Sequence, residues 1–259
     1  MRNEDLKIVA EGLIETFKRA GEESIKIEKE GVKIKTKEDG SPVTNGDLKV
    51  DKIITEEIIK LTPNIPIISE ETVDLKKKNN LDTFWLIDPI DGTREYIAGR
   101  NEYTLNAGLI YKNLPVLGVI GVPKKNRIFY SFGKNNSFLL ENKKIIKLNC
   151  KKNTPKGKII ALTNHTKPPE QILKKLEEFK VTSFRKLSSS YKYCLIATGE
   201  YDLYLDKVRA KEWDDAAGHA IAESAGAIVT SLEKETFKYG KEDYKNPTIL
   251  IRRSLNLND

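Results

Sequence analysis

With 259 residues, 39% apolar and 32% charged, the chain is long enough to bury a large core as one broad domain or two modest ones, under a heavily charged surface. A formal net charge of +7 could suit a polyanion, but 38 acidic residues are interleaved with 45 basic ones and no aromatic cluster offers a stacking platform, so nucleic acid is not expected as a partner. No apolar run approaches the roughly 20 residues that span a bilayer, and two histidines leave little for a histidine metal site or a Ser–His–Asp triad.

Leu6, Val9, Leu13, Ile14 and Phe17 share one face, which predicts an amphipathic helix over 4–20 that ends near Gly21. Ile25 and Ile27, then Val32 and Ile34, alternate with charges about Glu30-Gly31 and read as a short hairpin; 35–40 is a polar, mobile segment. A second helix follows 41–47, carried by Val50, Ile53, Ile54, Ile58 and Leu61. Asp47 near its start is first of all a capping or helix-dipole residue. Residues 65–68 form a short buried strand with Ser69-Glu70-Glu71 at its end, and the lysine run at 76–80 is an exposed loop.

The next strand is the focus of the chain. Phe84, Trp85, Leu86 and Ile87 run straight into Asp88, the pattern of a strand buried on both faces that ends at a functional edge. Pro89, without a donor, is expected to stop it there. Asp88 and Asp91 follow three apart, and Gly92-Thr93 offers backbone amides where a short helix can begin. Carboxylates for a hard cation beside amides for a phosphate make the combination a metal-dependent phosphatase needs. Asp-Pro-x-Asp-Gly is equally good turn chemistry, and on this stretch alone the two readings stand level. A haloacid-dehalogenase-type phosphatase also carries Asp-Gly-Thr after an apolar strand, but spaces its aspartates two apart.

Beyond it, 103–111, 115–122, 127–132 and 137–140 read as successive antiparallel strands, and 145–148 adds one more. The polar stretch 149–158 is the candidate domain boundary. Strands at 159–162, 181–184, 203–205, 227–229 and 248–251 then alternate with helices at 170–179, 189–198 and 214–225, the rhythm of an α/β half. Asp214 begins the last helix, where a plain N-cap is the simplest role, and His219 inside it reads as a packed core histidine. Cys150 and Cys194 are not paired by spacing and 1–5 lack the apolar core of a secretory signal, so a reduced, cytoplasmic setting is expected.

Taken together, Ser69-Glu70-Glu71, Asp88-Pro89-Ile90-Asp91-Gly92-Thr93 and Trp213-Asp214-x-Ala216-Ala217-Gly218 closely resemble the inositol monophosphatase-like family of metal-dependent phosphomonoesterases. Within it the chain is most similar to the 3′(2′),5′-bisphosphate nucleotidase branch, which takes the 3′-phosphate from 3′-phosphoadenosine 5′-phosphate; Thr93-Arg94-Glu95-Tyr96 and Ser188-Ser189-Ser190-Tyr191-Lys192 carry that likeness. The resemblance implies a layered α/β/α/β/α sandwich of the α+β kind, with a large antiparallel sheet in 1–150 and a smaller α/β half in 151–259. It also implies Mg²⁺, two or three per site with Mn²⁺ as an alternative, held by Glu70, Asp88, the carbonyl of Ile90, Asp91 and Asp214, all oxygen donors.

Metal-activated water would then attack in line. By resemblance Asp47 accepts a proton from the Thr93 hydroxyl, which orients and helps deprotonate that water, and Glu70 holds a second water. Gly92 and Thr93 amides bind the phosphate, Ser188, Ser189 and Ser190 meet the ribose-phosphate region, and Lys192, Arg209 and Lys211 are placed near a second phosphate. Ser188 stands where the branch usually has Gly, and 206–212 departs from its usual Gly-Pro run. Lys37 lies in a segment that is mobile and near the metals in relatives. A small phosphorylated nucleotide is the expected partner, the assembly a monomer or homodimer, and lithium an expected inhibitor. The close alternative is an inositol monophosphate or fructose 1,6-bisphosphate phosphatase; a polyanion-binding protein that kept the fold is the reading from another class.

Overall fold

The computed structural model describes residues 1–75, 80–151, 157–205, 210–233 and 235–257. In chain order the elements are α1 (Asn3–Gly12), α2 (Ile14–Glu30), β1 (Ile34–Thr36), β2 (Pro42–Thr44), α3 (Asn45–Leu61), β3 (Ile67–Ser69), β4 (Phe84–Asp91), α4 (Thr93–Ile97), β5 (Thr104–Tyr111) and β6 (Leu114–Val122). A 3₁₀ turn at Pro123–Lys125 leads to β7 (Arg127–Phe132), β8 (Ser137–Glu141) and β9 (Lys144–Lys147). The rest comprises β10 (Ile160–Thr163), α5 (Glu170–Glu178), β11 (Ser183–Lys186), α6 (Tyr191–Ala197), β12 (Leu203–Leu205), α7 (Glu212–Ser224), β13 (Ile228–Ser231) and β14 (Ile249–Arg252).

Five layers result, as expected. A seven-stranded sheet runs in the order β3-β4-β5-β6-β7-β8-β9, antiparallel except that β3 lies parallel to β4. Alternation along β4 divides its apolar run between two cores. Trp85 and Ile87 face α1, α2 and α3 in one, with Leu13, Phe17, Ile54 and Ile58. Phe84 and Leu86 face the other, which holds α6, α7 and the inner face of a five-stranded sheet ordered β11-β10-β12-β14-β13. The outer face of that sheet packs Ala161, Leu203 and Leu250 against Ile172 and Leu176 of α5. Core residues on both sides of 150, such as Phe84 and Ile251, belong to one cluster.

Two local expectations are corrected. The hairpin at 25–34 is not there: 25–30 finish α2, and the hairpin is Ile34–Thr36 against Pro42–Thr44. Ile25 and Ile27 fit a two-residue alternation, but Phe17, Ala20, Ser24 and Ile27 are buried at helical spacing, and that longer stripe wins. Likewise β4 does not stop at Pro89 but continues to Asp91, through a register shift between Asp88 and Asp91. β3 has already ended at Ser69 opposite Ile87, so beyond Ile87 that side of β4 needs no donor. Proline is tolerated at such an edge and bulge.

α7 owes its position to glycine. Cβ atoms added at Gly108 and Gly118 would fall 2.7 Å from Ala217 N and 2.2 Å from Ala217 O, so the helix backbone lies directly on β5 and β6. That contact brings the first turn of α7 to the end of β4.

Candidate active site

Four segments meet at the C-terminal end of β4. Parallel pairing of β3 with β4 sets Ser69 opposite Ile87, and the Glu70 amide then donates to the Ile87 carbonyl, so Glu70 and Asp88 leave the sheet side by side. α7 brings in Asp214 in its first turn. Carboxylate oxygens of Glu70, Asp88 and Asp214 lie within 4.8 Å of one another. Asp88 is 2% exposed. Burial, with the added charges of Glu70, Asp91 and Asp214, holds its carboxyl well above the usual range. Asp214 is raised likewise by burial, then by Asp91 and Glu70. Mutual repulsion of this kind is what a bound cation relieves.

Asp91 is fastened from the other half of the chain. Its Oδ2 accepts both the amide and the hydroxyl of Ser190, which precedes α6, and that hydroxyl is also shared with the Asp214 carbonyl. Asn106, the β5 partner of Asp88, donates to Ser190 Oγ at 3.1 Å. Ser190 is fully buried beneath the acids. Burial raises Asp91, while the Lys192 ammonium and the Ser190 hydrogen bonds oppose it.

On the facing side stands a threonine–aspartate pair. Thr44 caps α3, and its amide donates to Asp47 Oδ2 at 2.8 Å, with its hydroxyl on the same oxygen. This capping box occupies Oδ2 and leaves Oδ1 to Thr93, whose hydroxyl approaches it at 3.2 Å and the Ile90 carbonyl at 3.1 Å. Burial raises the Asp47 pKa against the pull of the Thr44 and Thr93 hydrogen bonds. Gly92 at φ 91° makes the tight left-handed corner from β4 into α4 that carries Thr93 into place.

The chain's own cations reach the same acids. Lys37 Nζ donates to Glu70 Oε1 at 2.8 Å and to Glu71 Oε1 at 3.0 Å. Burial lowers the Lys37 pKa, but the two glutamates outweigh it and raise it overall. Burial pushes Glu71 up to about 7 despite the Lys37 bond.

The residues assigned to substrate are placed unevenly. Ser188 is half-buried, while Ser189 is fully buried with its hydroxyl on the Glu102 carbonyl. Lys192 is 4% exposed, its Nζ 3.3 Å from the Ser188 carbonyl and 5.1 Å from the centre of the Tyr204 ring. It is thus not an exposed helix lysine. Arg209 lies outside the described residues. His219 is a packed core residue, Nδ1 at 2.9 Å from the Tyr239 hydroxyl.

Two contributors were not singled out in the sequence. Asp51, one turn after Asp47 on the same face of α3, accepts from the Ser69 hydroxyl and so steadies the turn bearing Glu70. Asn106 is an amide inside an apolar strand, between Leu105 and Ala107, which is the signal that could have found it.

A divalent cation fits this donor set. Every candidate ligand is an oxygen, and Asp88 Oδ1, Thr104 Oγ1 and Asn106 Oδ1 are buried at this end of β4 and β5 with no protein hydrogen-bond partner. A buried carboxylate oxygen with no donor is stabilised in its charged form by a cation.

A sequence profile of the inositol monophosphatase family matches residues 4–256. The 3′(2′),5′-bisphosphate nucleotidase CysQ of Salmonella typhimurium is 34% identical over 213 residues, 82% of this chain and 85% of that protein. Among solved structures, CysQ from Bacteroides thetaiotaomicron, described as a bacterial member of the inositol monophosphatase family, superposes with a TM-score of 0.74 at 28% identity over 96% of each chain. The Thermotoga maritima IMPase TM1415 superposes with a TM-score of 0.74 at 22% identity, over 93% of this chain and 90% of that one, and supports the fold.

Proposed function

The chain belongs to the inositol monophosphatase family, and we propose that within it this protein is a Mg²⁺-dependent phosphomonoesterase that removes the 3′-phosphate of 3′-phosphoadenosine 5′-phosphate to give AMP. The observation that carries the reading is the contact of Thr93 with Asp47 beside the Glu70, Asp88 and Asp214 carboxylates. The similarity to bisphosphate nucleotidases at about one third identity supports the choice of substrate.

Glu70, Asp88, Asp91, Asp214 and the Ile90 carbonyl would hold the divalent cations. When bound, these supply Lewis acidity, making a water nucleophilic near neutral pH and neutralising charge on the leaving oxygen. The protein's own part is proton transfer and positioning. Asp47 Oδ2 is committed to Thr44, so Oδ1 is the one free to take the Thr93 proton, and the Thr93 oxygen in turn takes one from the attacking water. Burial favours the step, because it raises the Asp47 pKa from the ordinary value and so makes the carboxylate a stronger base. Gly92 and Thr93 amides at the start of α4 would fix the phosphoryl oxygens. In this reading residues 1–150 supply most of the metal ligands and 151–259 the last ligand with substrate contacts.

A panel of 3′-phosphoadenosine 5′-phosphate, inositol monophosphate and fructose 1,6-bisphosphate, each with Mg²⁺ and read by phosphate release, tests the substrate. The nucleotide is expected to turn over with the highest kcat/KM. A strong preference for inositol phosphate or the sugar bisphosphate would overturn the choice.

A further inference from the structure

Behind the Thr93–Asp47 pair lies a buried group of hydroxyls that the reaction does not use. Tyr96 follows Thr93 by three residues on α4, so the two side chains leave the helix on one side. The Tyr96 ring is fully buried, and its hydroxyl donates to the Ser24 carbonyl of α2 at 2.8 Å. Ser24 Oγ gives its one proton to the Gly21 carbonyl at 2.8 Å and so accepts from the Tyr103 hydroxyl, also at 2.8 Å. The Tyr103 ring meets that of Tyr96 edge-on, with centroids 4.9 Å apart.

The first turn of α3 closes the remaining side. A Cβ built on Gly46 would fall 2.6 Å from Tyr96 Oη and 2.7 Å from Cε1, so the ring lies directly on the helix backbone one residue before Asp47. Tethered to α2 and flanked by Tyr103, this ring has nowhere to swing. Glycine is less favourable in a helix than alanine, so its place at 46 answers to the ring and not to α3 itself. The spacing matters for proton transfer. Thr93 and Asp47 stand 3.2 Å apart, at the outer edge of the roughly 2.6–3.2 Å over which a proton passes directly, so a small displacement breaks the contact.

We infer that Tyr96 is a positioning residue for the Thr93–Asp47 pair. Its ring is the spacer that sets α4 against α3, its hydroxyl anchors that spacer to α2, and Gly46 is the other half of the contact. Sealed from solvent, Tyr96 acts through the pair and not on the substrate. The inference rests on the role proposed above for Thr93 and Asp47 and adds what holds them in reach.

Two substitutions test it from opposite sides. Gly46→Ala adds one methyl group at the contact, and Tyr96→Leu removes the ring. Each is expected to lower kcat for phosphate release about 10–100-fold, the cost of a shift on the order of 1 Å between reacting groups. In the Gly46→Ala/Tyr96→Leu double variant the smaller side chain admits the methyl group, and part of the rate should return. Tyr96→Phe keeps the spacer and should keep most of the rate while losing stability with its hydrogen bond. The decisive comparison is Gly46→Ala in a Thr93→Val background, where kcat should fall no further, because the pair it displaces is already gone. Its effect on the melting temperature should be the same in both backgrounds. A Gly46→Ala variant that keeps the wild-type kcat, or that loses the same factor with and without the Thr93 hydroxyl, would overturn the positioning role alone, whether or not Tyr96→Leu folds. Full activity in Thr93→Val would overturn it together with the role of the pair.

Discussion

The Thr93 hydroxyl lies 3.2 Å from Asp47 Oδ1, joining the first turn of α4 to the first turn of α3 across 46 residues of sequence. Asp47 does two jobs through two oxygens: Oδ2 caps its own helix and Oδ1 faces the threonine. The cap fixes the carboxylate so that the second oxygen has one orientation, which is the preorganisation a proton acceptor needs.

Asp47→Asn should therefore keep the fold and lose turnover. Asparagine can still accept from the Thr44 amide, so the melting temperature should hold within a few degrees, while kcat falls about 10²–10⁴-fold. Thr93→Val should cost a similar factor, and the double variant no more than the worse single one, because the two act as a unit. Steady-state kinetics with a thermal melt checks this; additive losses would separate the residues.

Ser190→Ala removes the hydroxyl that ties Asp91 to the α7 backbone. Loss of a buried hydrogen bond should cost about 1–3 kcal/mol of stability. Asp91 would keep only the Ser190 amide, and Mg²⁺ affinity should weaken about 10–100-fold, as when a ligand loses its outer support. Denaturation for the first and calorimetry for the second would measure them. An unchanged Mg²⁺ affinity would leave Ser190 a purely structural residue.

Gly118→Ala places a methyl group 2.2 Å from the Ala217 carbonyl, which is helix backbone and cannot swing aside. Overpacking of this kind should destabilise by about 1–3 kcal/mol. It should also weaken Mg²⁺ binding, because the clash displaces the helix that carries Asp214. A thermal melt with and without Mg²⁺ reads both effects.

Burial raises the Asp51 pKa against its hydrogen bond from Ser69. The folded protein then holds the proton more tightly than the unfolded chain, so this contribution to stability is full below about pH 4 and is lost as pH rises through the folded pKa. In chelator, Asp51→Asn should lose less stability than the wild type between pH 4 and pH 7. Urea unfolding across that range checks the sign.

Much of this site was legible in the sequence because it sits where strands end and helices begin. Glu70 and Asp88 each follow an apolar strand, and parallel pairing of those strands puts the acids side by side. What was not legible depends on distance in the chain or on small residues. Ala20 and Ser24 carry the buried stripe of α2 without looking apolar, so Ile25 and Ile27 read as a hairpin. Pro89 read as a strand end because nothing in the sequence says that β3 stops at Ser69 and frees that edge. The buried Lys192 ammonium lies over the ring of Tyr193 and over that of Tyr204 on another segment, and local spacing carries no trace of the second.

The most direct measurement of the central claim is phosphate release from 3′-phosphoadenosine 5′-phosphate as free Mg²⁺ is varied, for wild type and Asp214→Asn. Release that needs Mg²⁺, stops in chelator, returns on its addition and falls at least about 10³-fold in the variant is the predicted result. Release that persists at full rate in chelator, or in Asp214→Asn, would contradict it.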